Sequence, residues 1–90
     1  MQEITNMIEL ILIDTLNRER LIKDFQKRIW NNLFTDSEEK SEIYRELAQT
    51  LDYYEPNEEL RREDPSLYGD DKLVKEVEFA LIKLKNSANN

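Results

Sequence analysis

The residues that interrupt regular backbone structure are nearly absent from this chain, and the few present sit together. There is one glycine, Gly69, and there are two prolines, Pro56 and Pro65. A turn-rich β-sandwich needs many such residues, whereas long helices need none. The chain has 90 residues, which is room for one domain, 1–90, and enough to bury one core without disulfides. Apolar types make up 39% of it and charged types 37%. That is more charge than an average globular domain carries, yet it is not the profile of a disordered chain.

Apolar spacing places four helices. Ile4, Met7, Ile8, Ile11 and Leu12 recur at helical intervals, with Leu10 and Ile13 widening the stripe, and predict a first helix over 4–15. A membrane-surface helix is the weaker reading, because its polar residues are Glu3, Glu9 and Asp14 rather than lysines. A break near Leu16–Asn17, with Asn17 as cap, opens a second helix over 18–33; one long helix through the site is the alternative. Ile22, Phe25, Ile29 and Leu33 form its inner stripe, flanked by Leu21 and Trp30, while Arg18, Arg20, Lys23, Lys27 and Arg28 form a basic outer face.

Asp36, with Glu39 three residues on, predicts a capping box and the start of a third helix. That helix follows Ile43, Leu47, Ala48 and Leu51, with Tyr44 at its margin, and ends near Tyr53 because Pro56 disfavours helical geometry before it. Residues 54–71 are a long irregular connection with one helical turn at Glu58–Arg62. The last helix, 71–85, carries Leu73, Val77, Ala80, Leu81 and Leu84, with Asp70 or Asp71 capping its start and Ser87 to Asn90 frayed. The expected fold is all-α: a small antiparallel four-helix bundle with a long acidic loop between the third and fourth helices.

The chain has no Cys and no His. Disulfides, thiolate nucleophiles, cysteine zinc sites and the commonest general base are therefore excluded. No apolar run approaches the roughly 18 residues of a membrane span, and the acidic opening MQEITNM does not read as a signal peptide. Paired acids occur at Asp52/Glu55, Glu58/Glu59, Glu63/Asp64 and Asp70/Asp71. Glycoside hydrolysis needs two carboxylates across a substrate cleft, for which a bundle this small has little room. A calcium loop aligned on Gly69 begins at Asp64 but puts Lys75 where a bidentate acid is required. No phosphate loop or nucleophile elbow is present. The expectation is a soluble, cytoplasmic binding module that is not an enzyme and takes no cofactor and no metal.

The charge is unevenly placed. Residues 1–35 sum to zero, 36–71 to −9 and 72–90 to +2. A field of one sign steers a cationic partner and repels nucleic acid. A solvated acidic surface serving only solubility is the plainer reading. The run Asp52-Tyr53-Tyr54-Glu55-Pro56-Asn57-Glu58-Glu59 joins aromatics to acids where helix gives way to loop. Tyrosine buries a large ring and keeps a hydroxyl, and carboxylates beside it bind Lys or Arg, so this run is the candidate interface.

From Leu51 to Leu84 the chain resembles the C-terminal half of the colicin D-type immunity proteins, a family that includes immunity proteins of contact-dependent growth inhibition systems. The resemblance rests on Asp52 to Pro56, Leu60-Arg61, Asp70-Asp71 and the Leu-Val-Lys-Glu-Val of the last helix. Upstream, Leu21 to Trp30 looks like the family's second helix. It implies a four-helix protein that binds a tRNA-cleaving ribonuclease toxin and fills its basic cleft with acids standing in for substrate phosphates. Asp52 and Glu55 match two of the family's contact acids; a third falls on Asn57, where this sequence departs, and the loop here is longer. The candidate partner-binding residues are Asp52, Tyr53, Tyr54, Glu55, Asn57, Glu58, Glu59, Glu63, Asp64, Asp70 and Asp71. The expected partner is a cognate nuclease toxin domain in a 1:1 complex, with no membrane and no direct nucleic-acid binding. Two other readings compete: an immunity protein that binds a nuclease beside its active site, which Tyr53-Tyr54 resembles, and an intracellular adaptor for an unrelated basic protein.

Overall fold

The computed structural model describes residues 4–88. It is all-helical, with five helices among the described residues: α1 (Ile4–Ile13), α2 (Arg18–Trp30), α3 (Glu38–Leu51), α4 (Glu58–Glu63) and α5 (Asp70–Ala88). The break between α1 and α2 is real, so the single-helix alternative is excluded. The four longer helices close a ring: α1 packs on α2, α2 on α3, α3 on α5 and α5 on α1. The predicted stripes face its interior, except that Leu10 and Ile13, expected to widen the stripe of α1, point to solvent, Ile13 being 73% exposed. Ile8, Ile11, Phe25, Ile29, Leu51, Leu73 and Val77 are all fully buried there. Removing a ring such as that of Phe25 from so closed a site costs about 3–5 kcal/mol.

Three polar residues are also buried: Arg18, Gln26 and Ser41. Gln26 donates from Nε2 to the Ala48 carbonyl at 3.0 Å, pinning α2 to α3 across the core. Among the described residues, every buried side-chain nitrogen or oxygen has a hydrogen-bond partner, as the cost of burying an unpaired polar group demands.

The helix ends depart from expectation for local reasons. Asn17 does not cap α2 with its side chain; that group donates instead to Asp14 at 3.0 Å. Helix α2 stops at Trp30, not Leu33. Asn32 takes a left-handed conformation (φ 55°), and the Leu33 amide returns to the Arg28 carbonyl at 2.9 Å while Asn32 bonds Ile29 at 3.1 Å. This is a Schellman stop with asparagine in the glycine position. It turns Leu33 outward, 59% exposed, while Trp30, still in the helix, faces solvent beside the buried Ile29.

At the start of α3 the cap is Ser37, not Asp36: the Ser37 hydroxyl accepts from the Lys40 amide at 3.2 Å. Asp36 accepts from the Ser37 amide and, at 2.6 Å, from the hydroxyl of Tyr44. Tyr44 is correspondingly not marginal but 1% exposed, with Phe34 edge-on to its ring at 5.6 Å. At the chain's end, α5 continues through Ser87 to Ala88, so the expected fraying at Ser87 does not occur. Glu3 and Asn89-Asn90 lie outside the described residues.

Candidate functional site

Helix α3 ends at Leu51, and its last turns unwind through Asp52, Tyr53 and Tyr54 with short-range bonds back to Gln49, Thr50 and Leu51. The chain then enters the acidic connection. Its mouth is shut. Tyr54 and Tyr68 form an isolated parallel bridge; the Glu55 amide donates to the Tyr68 carbonyl at 2.8 Å and the Tyr68 amide to the Tyr53 carbonyl at 3.0 Å. The Tyr68 hydroxyl donates to the Thr50 carbonyl. A stretch expected to be irregular is therefore tied at both ends.

Inside the loop, Asn57 is the N-cap of α4, its Oδ1 accepting from the amides of Glu59 at 2.9 Å and Leu60 at 3.4 Å. Two acids in the first turn and two arginines in the last suit the dipole of this short helix. Arg61, half-buried, reaches back from Nη1 to the Glu55 carbonyl at 2.6 Å. It crosses directly over Gly69: a Cβ there would lie 2.9 Å from Arg61 Nη1. A side chain at this position would push the Arg61 guanidinium aside.

A buried arginine anchors the whole assembly. Arg18 is only 4% exposed. Its Nε donates to the Ile11 carbonyl and its Nη2 to the Leu12 carbonyl, each at 2.8 Å, and its Nη1 meets Asp70 Oδ1 at 2.9 Å. The last carbonyls of a helix lack intrahelical partners and attract cations. Helix α1 has no basic residue in its last turn, and Arg18 of the next helix supplies one. Asp70 Oδ1 also accepts from the Tyr54 hydroxyl at 2.6 Å. These contacts hold the Asp70 carboxyl below its ordinary range, the Tyr54 hydrogen bond first and the Arg18 contacts after it. Tyr54 is pushed up to about 12, by burial and then by its bond to Asp70; Tyr68 is also raised to about 12, by burial and the charge of Glu76.

The candidate residues thus divide. Asp70 neither caps α5 nor stands free; it is bound to Arg18 and Tyr54. Asn57 is spent on capping, Asp64 accepts from Ser66, which lowers its pKa, and Glu58 pairs with Arg62 at 3.4 Å on the surface. Glu55, half-buried, accepts from the Asn57 amide. Among the described residues, the carboxylates of Asp52, Glu59, Glu63 and Asp71 are exposed and have no hydrogen bond or ion pair. Tyr53 is 46% exposed, while Tyr54 turns inward. Beside Tyr53 lies an open depression of about 340 Å³ between the end of α3 and the start of α5, lined by Gln49, Thr50, Ser66, Tyr68, Lys72 and Glu76 as well.

Sequence reasoning missed Arg18, Arg61 and Tyr68. Arg18 was expected on the basic outer face, and the structure corrects this. Its spacing carried a signal, since 18, 22, 25 and 29 share one stripe with Ile22, Phe25 and Ile29. Arg61 and Tyr68 act through contacts distant in sequence and left none. Among the described residues, no group of three or more acids is arranged to hold a metal ion, and no helix is long and apolar enough to cross a membrane. No family model matches this chain, and neither a curated protein nor a solved structure matches it.

Proposed function

We propose that this chain is an immunity-type inhibitor: an antiparallel four-helix bundle of α1, α2, α3 and α5 whose α3–α5 loop plugs the basic active-site cleft of a tRNA-cleaving ribonuclease toxin. The bundle reading is supported by the closed ring of helix contacts. It is also supported by Arg18, which joins the end of α1 to the start of α5, and by Lys83 late in α5, which meets Glu46 of α3 at 3.5 Å. Such a protein works in the cytoplasm as a 1:1 complex, without catalysing a reaction or touching nucleic acid itself.

One observation carries the functional reading. Four carboxylates, Asp52, Glu59, Glu63 and Asp71, are left exposed and unpaired around a loop whose mouth is tied shut, next to the exposed ring of Tyr53. Unpaired acids on an ordered frame lower the ordering cost of binding and present a polyanion to a cleft built for RNA. The resemblance of Asp52 to Pro56 to the colicin D-type immunity proteins points the same way. The basic stripe of α2 does not compete as an interface through Arg18, which is buried.

The experiment pairs this chain with a nuclease domain encoded beside its gene, sought first, with tRNA cleavage as readout. The wild-type protein suppresses cleavage, tRNA competes with it, and Asp52→Lys with Glu59→Lys weakens inhibition at least tenfold while helicity is retained. Full inhibition by the charge-reversed protein overturns the plug. Undiminished binding in saturating tRNA places the contact beside the active site instead. The lack of a neighbouring nuclease domain favours the adaptor.

A further inference from the structure

The acids that face solvent are only half of the loop's design; the other half is the cationic frame beneath them. Arg18 makes three bonds at once, two to α1 carbonyls at 2.8 Å and one to Asp70 at 2.9 Å. It is almost wholly buried, so these bonds are dry on the arginine side. Asp70 passes the constraint to Tyr54 at 2.6 Å, and Tyr54 is one half of the bridge that closes the loop's mouth against Tyr68. From the opposite side Arg61 holds the Glu55 carbonyl at 2.6 Å and packs over Gly69, the residue before Asp70. The path from α1 to the loop is thus a continuous series of hydrogen bonds through one guanidinium, one carboxylate and one phenol. The backbone of helix α4 approaches no other helix closely among the described residues, so the loop is seated at its mouth, where this polar frame acts beside the ring of Tyr68, itself buried in the core.

We propose that Arg18 is a positioning residue for the anionic loop, holding it through Asp70 and Tyr54 in its binding pose before any partner arrives. This deepens the inhibitor reading and rests on it for its functional consequence. A plug ordered in advance loses little conformational entropy on contact. Arg18 touches no partner; it acts through Tyr54.

Two measurements on the whole chain test this. Hydrogen exchange at the Glu55 and Tyr68 amides, with tryptic cleavage after Arg61 and Arg62, reports the loop; exchange in α2 and α3 reports the bundle. Tyr54→Phe removes one hydroxyl and no charge. It is expected to raise exchange and cleavage in the loop about tenfold, as loss of a hydrogen bond to a carboxylate does, while α2 and α3 stay protected. Arg18→Gln is expected to loosen the loop more strongly, and also to lower protection in α1 and α2, because two α1 carbonyls lose their donor. Binding to the neighbouring toxin domain then weakens about tenfold with an unchanged salt dependence, because every exposed acid remains. Loop exchange that stays at the wild-type level in Tyr54→Phe, or rises only in step with α2 and α3, overturns the positioning role. So does a loosened loop that binds the toxin domain as tightly as before. Failure of the wild-type protein to bind that domain, with the loop still loosened selectively, instead overturns the inhibitor reading and leaves the Arg18 frame as a feature of the fold.

Discussion

Two tyrosine–aspartate hydrogen bonds of the same length, 2.6 Å, flank α3 and do different things. At its start, Tyr44 donates to Asp36 eight positions earlier, from a ring sealed in the core. At its end, Tyr54 donates to Asp70 sixteen positions later, from a half-buried ring, onto a carboxylate that Arg18 also holds. The first bond closes a helix terminus within its own neighbourhood. The second joins segments far apart in the chain, at the mouth of a loop that the buried ring of Tyr68 also anchors. The chemistry is alike; burial and sequence separation decide whether the bond serves the core or the site.

The contrast can be broken most forcefully at Tyr44. Tyr44→Ala empties a fully buried position and should cost about 3–5 kcal/mol in urea unfolding, spread over the whole bundle. Arg18→Met leaves two α1 carbonyls unpaired and should cost about 1–3 kcal/mol; the exposed side of Asp70 (59%) keeps the ion pair itself from adding much. Next come the two hydroxyl deletions, each about 0.5–1.5 kcal/mol by denaturant titration. Tyr44→Phe should lower the global midpoint, and equal lowering by Tyr54→Phe with no selective change in the loop would erase the distinction drawn above.

Acid and alkali sharpen the comparison further. Asp70 is held below the ordinary aspartate value of 3.8 by Tyr54 and then Arg18. Asp36 is also held below 3.8: its burial pushes the other way, and the hydrogen bonds from Tyr44 and Ser37 outweigh it. Folded values below unfolded ones mean stability that is present above about pH 4 and lost as pH falls through the folded values. Both Asp36→Asn and Asp70→Asn should flatten that acid limb. In alkali the sign reverses. Tyr54 and Tyr68 are raised from 10.0 to about 12, so stability declines as pH rises from about 10 to about 12 and the unfolded chain ionises first. Absorbance titration should show Tyr54 and Tyr68 ionising only near pH 12, both brought into the ordinary range by denaturation.

How much of this was legible in the sequence follows the same division. The apolar stripes of α1, α2, α3 and α5 could be read because a helix repeats its buried face every three or four residues. The break before Asn17 and the turn at Glu58 could be read from local chemistry. Leu33 was misassigned because Asn32 in a left-handed cap ended the helix one turn sooner than the apolar spacing suggested. Arg18 departs from the basic outer face because its position on the buried stripe puts its guanidinium beside three acceptors. The bridge between Tyr54 and Tyr68 leaves no periodic trace: it depends on where two helices end in space, which neither segment encodes alone. The acids of this segment are visible in the sequence, but their division into bound and free members depends on contacts between distant residues.

The tie between Tyr54 and Tyr68 brings the entry and exit of the acidic segment to one spot on the bundle. A segment attached at a single point behaves as an interchangeable cassette. The exposed Glu58, Glu59, Arg62 and Glu63 can change charge without touching the core of the four long helices, whereas Asn57 and Arg61 are held by the cap and the contact that seat the loop.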